Sequence, residues 1–61
     1  MLIHLDVTLK EETDFEYRIE SHTTGETDWI SKSECLLELK GNTTGGVLAL
    51  TEVVAKQCRF I

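Results

Sequence analysis

Proline is absent from this chain, and aromatic residues are few: one tryptophan, one tyrosine and two phenylalanines. The lack of proline excludes proline-rich linkers and extended proline recognition segments. Only two cysteines are present, Cys35 and Cys58, too few for the multi-bridge framework of a small secreted domain. With His4 and His22 they make four possible zinc ligands, but no two stand at the close Cys–Cys or His–His spacing that zinc sites use. No metal or cofactor is therefore expected. No stretch approaches the roughly 18 apolar residues of a membrane-spanning helix. The start, Met1-Leu2-Ile3-His4-Leu5-Asp6, lacks the basic leader and long apolar core of a targeting segment. The expectation is a cytoplasmic protein with no membrane association and two free thiols. Basic residues are also scarce, six against eleven acidic ones, for a formal charge of −5. That balance excludes the basic footprint of a direct nucleic-acid binder and suits a partner whose own surface is basic.

What is there is enough to fold. Hydrophobic residues make up 41% of the 61, which argues against disorder and for a single domain, 1–61. A chain this small without disulfides or metal often completes its core by oligomerising, so a homodimer is expected. Ile3, Leu5, Val7 and Leu9 alternate with His4, Asp6, Thr8 and Lys10, the period of a half-buried strand. Glu11-Glu12-Thr13-Asp14 reads as a turn. Phe15, Tyr17 and Ile19 then alternate with Glu16, Arg18 and Glu20, completing an antiparallel hairpin with one buried face. His22 to Asp28 reads as a loop, and Trp29 and Ile30 lead out of it, Trp29 anchoring the next element to the sheet.

That next element carries a complete set of helix signals over Ser31–Lys40. Ser31 and Glu34 have capping-box spacing, Ile30 and Cys35 occupy the staple positions, and Gly41 stands where a helix-ending left-handed residue belongs. At 100° per residue, Cys35, Leu36 and Leu39 form an apolar stripe. Glu34 and Glu38 lie together on the far edge, with Leu37 near them, a leucine beside two carboxylates. After the glycine-rich Gly41–Gly46, the segment Val47–Lys56 supports two readings. Val47, Leu50, Val54 and Cys58 match a helical stripe, while the valines and Thr51 match a buried strand.

Catalytic patterns are missing. Neither histidine is tied to a nucleophile, and Gly41-Asn42-Thr43-Thr44-Gly45-Gly46 has no following Lys-Ser or Lys-Thr, so it is not a P-loop. Paired carboxylates need an enclosed pocket to act as acid and base, which so short a chain rarely builds. An enzyme is not expected.

Three stretches carry a family resemblance: Asp6-Val7-Thr8, Ser31-Lys32-Ser33-Glu34 and Gly41-Asn42-Thr43. In their order and their setting among the elements above, they resemble the short phage-encoded inhibitors of uracil-DNA glycosylase, the dimeric kind that mimic DNA. The resemblance implies an α+β fold, a three-stranded antiparallel sheet with one short helix in the order β-β-α-β, as a homodimer. It implies that Val47–Ala55 is a strand. It also implies that surface carboxylates replace DNA phosphates in the groove of a host glycosylase, in the bacterial cytoplasm. An apolar pocket, built from the helices of both subunits, would receive the leucine that the enzyme inserts into DNA. The partner-binding residues under this reading are Glu34, Cys35, Leu36, Leu37 and Glu38. The chain departs from the pattern at Cys35, where the family has an aromatic, and its interval from Ser33 to Gly41 is one residue longer. Two other readings stand beside it. One is a small acidic phage or plasmid accessory protein that binds another host factor through the same face. The other is a helix-turn-helix DNA binder using Ser31–Lys40 and Val47–Gln57, which a second helix with so little positive charge disfavours.

Overall fold

A computed structural model describes all 61 residues. The first hairpin is present as expected: β1 (Leu2–Glu12) pairs antiparallel with β2 (Glu16–Ser21), with a register shift between Leu9 and Glu11. Beyond the hairpin the chain departs from the expected three-stranded α+β layout. Residues Thr27–Ser31, read as loop and lead-in, form β3 on the far side of β2. The helix expected over Ser31–Lys40 is absent. Its place is taken by a single 3₁₀ turn, Lys32–Glu34, and a strand, β4 (Cys35–Leu39). The open segment divides: β5 is Gly45–Thr51, and a short helix α1 covers Glu52–Gln57. The result is one five-stranded antiparallel sheet in the order β3-β2-β1-β5-β4, within a single chain.

The start signal at Ser31 is genuine, but it caps one turn only. Ser31 Oγ accepts the Ser33 N–H at 3.3 Å, and Cys35 is already extended at φ −153°, ψ 168°. Leucine is a good helix former. Tertiary pairing overrides it here, because an extended Cys35–Leu39 pairs with the edge of β5 and sets Cys35 opposite Leu50 and Leu37 opposite Leu48. A helix in the same place would leave the backbone groups of that edge without partners. Gly41 keeps its left-handed φ of +57°, now inside the β4–β5 hairpin rather than at a helix end.

The sheet is curled. β3 and β4 are its two edges, yet only Lys32, Ser33 and Glu34 separate them in sequence. Four residue steps span at most about 14 Å, whereas four interstrand gaps in a flat sheet need about 19 Å. Cys35 Sγ indeed reaches the carbonyl of Ser31 at 3.5 Å. Cys35 is level with Leu50 and Ile3, at the start of β1, while Ser31 is level with Glu16, past the end of β1's partner segment. Strongly tilted strands coiled as in a small barrel bring such staggered positions together. Lys32 fastens the crossing: its N–H donates to Phe15 O at 2.9 Å, and its Nζ lies 2.6 Å from Glu12 Oε2 and 5.0 Å from the centre of the Tyr17 ring. The hydrogen bond to Glu12, opposed by partial desolvation, holds the Lys32 pKa above its ordinary value.

Inside the curl lie Val7, Ile19, Ile30, Cys35, Leu48 and Leu50, closed at one end by Ala55 of α1 and Phe60 of the tail. Thr51 caps α1 by accepting the Val54 N–H. The helix ends in a Schellman arrangement, with Phe60 N–H donating to Ala55 O and Arg59 N–H to Lys56 O, Arg59 being left-handed at φ 61°. Ser21, the buried polar residue of the core, donates to Phe60 O at 2.7 Å. Two aromatic placements differ from expectation. Phe15 sits in the β1–β2 turn, 80% exposed, instead of on the buried face, and Trp29 lies on the edge strand β3 with no long helix to anchor. The radius of gyration, 10.2 Å, is that of a compact globule of this length, about 10.5 Å. The pocket expected between helices of two subunits is not formed, because a 3₁₀ turn and β4 replace the helix that would build it. No helix is long and apolar enough to cross a membrane.

Candidate functional site

The five residues expected to meet a partner split between the two faces of β4. Because a strand alternates where a helix steps by 100°, Cys35, Leu37 and Leu39 point one way and Leu36 and Glu38 the other. Cys35 is buried against the core and Leu37 half-buried beside it. Leu36 is 74% exposed, and Glu38, like Glu34 in the 3₁₀ turn, is exposed. Leu36 and Glu38 thus form the outward group, Glu34 is exposed in the preceding turn, and Cys35 and Leu37 belong to the interior. An exposed leucine beside a carboxylate remains, with Leu36 in the place that helical geometry assigned to Leu37.

Neighbouring strands complete a site around Leu36. β4–β5 and β5–β1 pairing aligns Leu36 with Ala49 and His4, and Glu38 with Val47 and Asp6, in two adjacent rows on the outer face. Leu36, Ala49, Val47, His4 and Glu38 line a shallow open depression of about 310 Å³. Its floor is apolar because Val47 and Ala49 are the outward residues of β5. Its rim is acidic: Glu38 lies on it and Asp6 stands in the same cross-strand row, while Glu34 is in the 3₁₀ turn outside its lining. His4 comes from a strand far from β4 in sequence, Val47 and Ala49 from the next strand of the β4–β5 hairpin, and none of the three was expected at the site. Their only sequence signal was alternation, which marked His4 as outward without saying what would stand beside it.

Electrostatics sharpen this face. Four ion pairs, Lys10–Glu20, Arg18–Glu11, Lys32–Glu12 and Lys56–Glu52, engage four of the six basic residues. Asp6, Asp14, Glu16, Glu26, Asp28, Glu34 and Glu38 have no such partner, against Lys40 and Arg59 on the basic side. The formal charge of −5 is therefore carried by uncompensated carboxylates, of which Glu38 lines the depression and Asp6 shares its cross-strand row.

Thr8 Oγ1 lies 2.6 Å from His22 Nε2, but the pair is exposed, and the depression is lined by the other histidine. No three His, Cys, Asp or Glu side chains converge as a metal site. Burial pushes both thiols, Cys35 and Cys58, above their ordinary range, with nearby carboxylates adding to the effect.

The fold and site together define a small curled antiparallel sheet with an acid-rimmed apolar depression on its outer surface. No family model, curated protein or solved structure matches the chain.

Proposed function

We propose that this protein acts by binding another protein, without chemistry of its own, and that its partner is a uracil-DNA glycosylase whose DNA groove it blocks. The observation that carries the reading is Leu36, 74% exposed between Glu34 and Glu38 at the edge of the apolar depression. A soluble surface keeps an isolated leucine without consequence, but a leucine on an apolar hollow beside unpaired carboxylates forms an anchor with an electrostatic guide. A groove that attracts phosphates attracts carboxylates by the same field, and a desolvated apolar contact then supplies much of the affinity. The hollow can accept one apolar side chain projected by the partner, such as the leucine a glycosylase inserts into DNA.

The three stretches shared with the phage-encoded inhibitors support the choice of partner. The means differ from those the resemblance implies: the receiving surface is the outer face of β4, β5 and β1 of one chain, not a pair of helices from two. Inhibition would be competitive with DNA, and its setting the bacterial cytoplasm.

The test is uracil excision from an oligonucleotide by a bacterial glycosylase with rising amounts of this protein. Stoichiometric loss of cleavage, relieved by Leu36→Lys or Glu38→Lys but not by Glu26→Lys, is the expected result. Full cleavage at large excess across several such enzymes would remove the glycosylase. Binding of a different basic host protein to the same face would then replace it.

A further inference from the structure

The two edges of the curled sheet are not alike. Ser21 N–H donates to Glu26 O, so in the alternating antiparallel pattern Asp28 and Ile30 bond to β2, and Thr27, Trp29 and Ser31 turn their backbone groups outward. This edge is partly occupied. The Trp29 N–H donates to Asp28 Oδ1 at 2.8 Å, and Ser31 O accepts from Cys35 Sγ. On the other side Lys40 N–H donates to Gly45 O at 2.9 Å, so Leu36 and Glu38 bond to β5 and Cys35, Leu37 and Leu39 face outward. β3 and β4 run in the same direction and meet only where Ser31 touches Cys35. Beyond that point Leu37 and Leu39 have no strand alongside.

Natural edges are usually guarded by lysine, proline, a bulge or an inward charge. β4, Cys35-Leu36-Leu37-Glu38-Leu39, has none of these guards. Leu39 is 39% exposed and Leu37 half-buried, so the inward side of this edge is apolar, while its outward side reads Leu36, Glu38.

We infer that β4 is a strand-addition site that takes up an extended segment of a partner protein, alternating apolar and basic residues. Backbone bonds to Leu37 and Leu39 would hold the segment in register. Its apolar residues would extend the interior face beside Leu37 and Leu39. Its basic residues would stand on the outer face beside Leu36 and Glu38, where the Glu38 carboxylate favours an opposite charge on the adjacent strand. The uncompensated carboxylates favour a basic segment over a second copy of this chain, which would bring a further charge of −5. The inference rests on the reading that the protein works by protein contact, and is independent of the glycosylase as partner.

The test is titration of the ¹⁵N-labelled protein with a heptapeptide alternating lysine and valine. Controls are its N-methylated form, which lacks edge donors, and a glutamate–valine counterpart. Expected are saturable shifts and slowed exchange at the amides of Leu37 and Leu39, at least tenfold weaker binding of both controls, and loss of binding in Leu39→Pro. That variant removes an outward N–H and no bond to β5, and its circular dichroism should match the parent's. N-methylation without effect, shifts confined to Leu36, Ala49 and His4, or no binding at millimolar peptide would each overturn the inference. So would β4 shifts that track protein concentration alone, which assign the edge to a second copy. Glycosylase inhibition by Leu39→Pro separates the outcomes: if it persists while the peptide result fails, the outer-face reading stands without the edge.

Discussion

Gly46 shows how closely the fold depends on single residues. It is buried opposite Leu39, and a methyl group built on it would lie 2.3 Å from Glu38 O and 2.9 Å from Leu39 Cα. Those are backbone atoms with no rotamer to change. Gly46→Ala should therefore push β4 from β5, costing about 1–3 kcal/mol as overpacking does, measurable as a lowered urea midpoint. Arg59 is the opposite case. It holds a left-handed conformation at the end of α1 that glycine adopts without strain. Arg59→Gly should raise stability by about 0.5–1 kcal/mol. The thiols add a pH signature. With pKa values raised in the fold, Cys35 and Cys58 hold their protons more tightly there than in the unfolded chain. Their contribution is full below the ordinary thiol value of 9.0 and is lost as pH rises through the folded values. Thermal scans across the alkaline range should show this loss, and a Cys35→Ser/Cys58→Ser double variant should flatten it.

At the scale of elements, the strand assignment of β4 makes a sharp division. Leu37→Ala removes a side chain packed against the core and should cost about 1–2 kcal/mol, given its half burial. Leu36→Ala should leave the melting temperature within error and weaken partner binding instead. Were Ser31–Lys40 a helix, the roles of the two leucines would be exchanged, so equilibrium unfolding of this pair reads the secondary structure directly. The alternation in β1 and β2 was legible because each strand has one wet face, which imprints period two on the residues. β4 hid itself for a different reason. Over so few residues Cys35 and Leu39 fall on the apolar side of either a helix or a strand, and only Leu36 and Leu37 distinguish them. Capping signals at Ser31 tipped the reading toward helix, although what they cap is a single turn. Val47–Lys56 resisted a single assignment because it is two elements, with Thr51 the last strand residue and the cap of α1. The acidic members of the candidate site, Glu34 and Glu38, were visible in sequence. Its floor was not: His4 joins through strand order, which no local pattern encodes, and Val47 and Ala49 stand beside Leu36 and Glu38 only once Cys35–Leu39 is a strand of a hairpin.

For the molecule as a whole, charge dominates encounter with any partner. With four of six bases in ion pairs, the surface field is that of free carboxylates. Association with a basic protein should slow steeply as salt shortens the Debye length to about 10 Å at 0.1 M, while dissociation changes little. Stopped-flow mixing with the partner across salt concentrations measures both. The exposed ion pairs themselves contribute little to stability at any salt.

The order of the strands also governs when this molecule can come into being. β1, at the amino terminus, is the middle strand, and one of its neighbours is β5, whose pairing runs from Leu2 with Thr51 to Thr8 with Gly45. Phe60, nearly the last residue, closes the core. Contacts of such sequence separation form slowly, because a long loop must close before they reward the chain. Until they form, β1–β2 displays its apolar side as an unfinished hairpin. Folding thus waits on β5 and on the turn that carries Phe60, and removing residues 58–61 takes away the lid on which it closes.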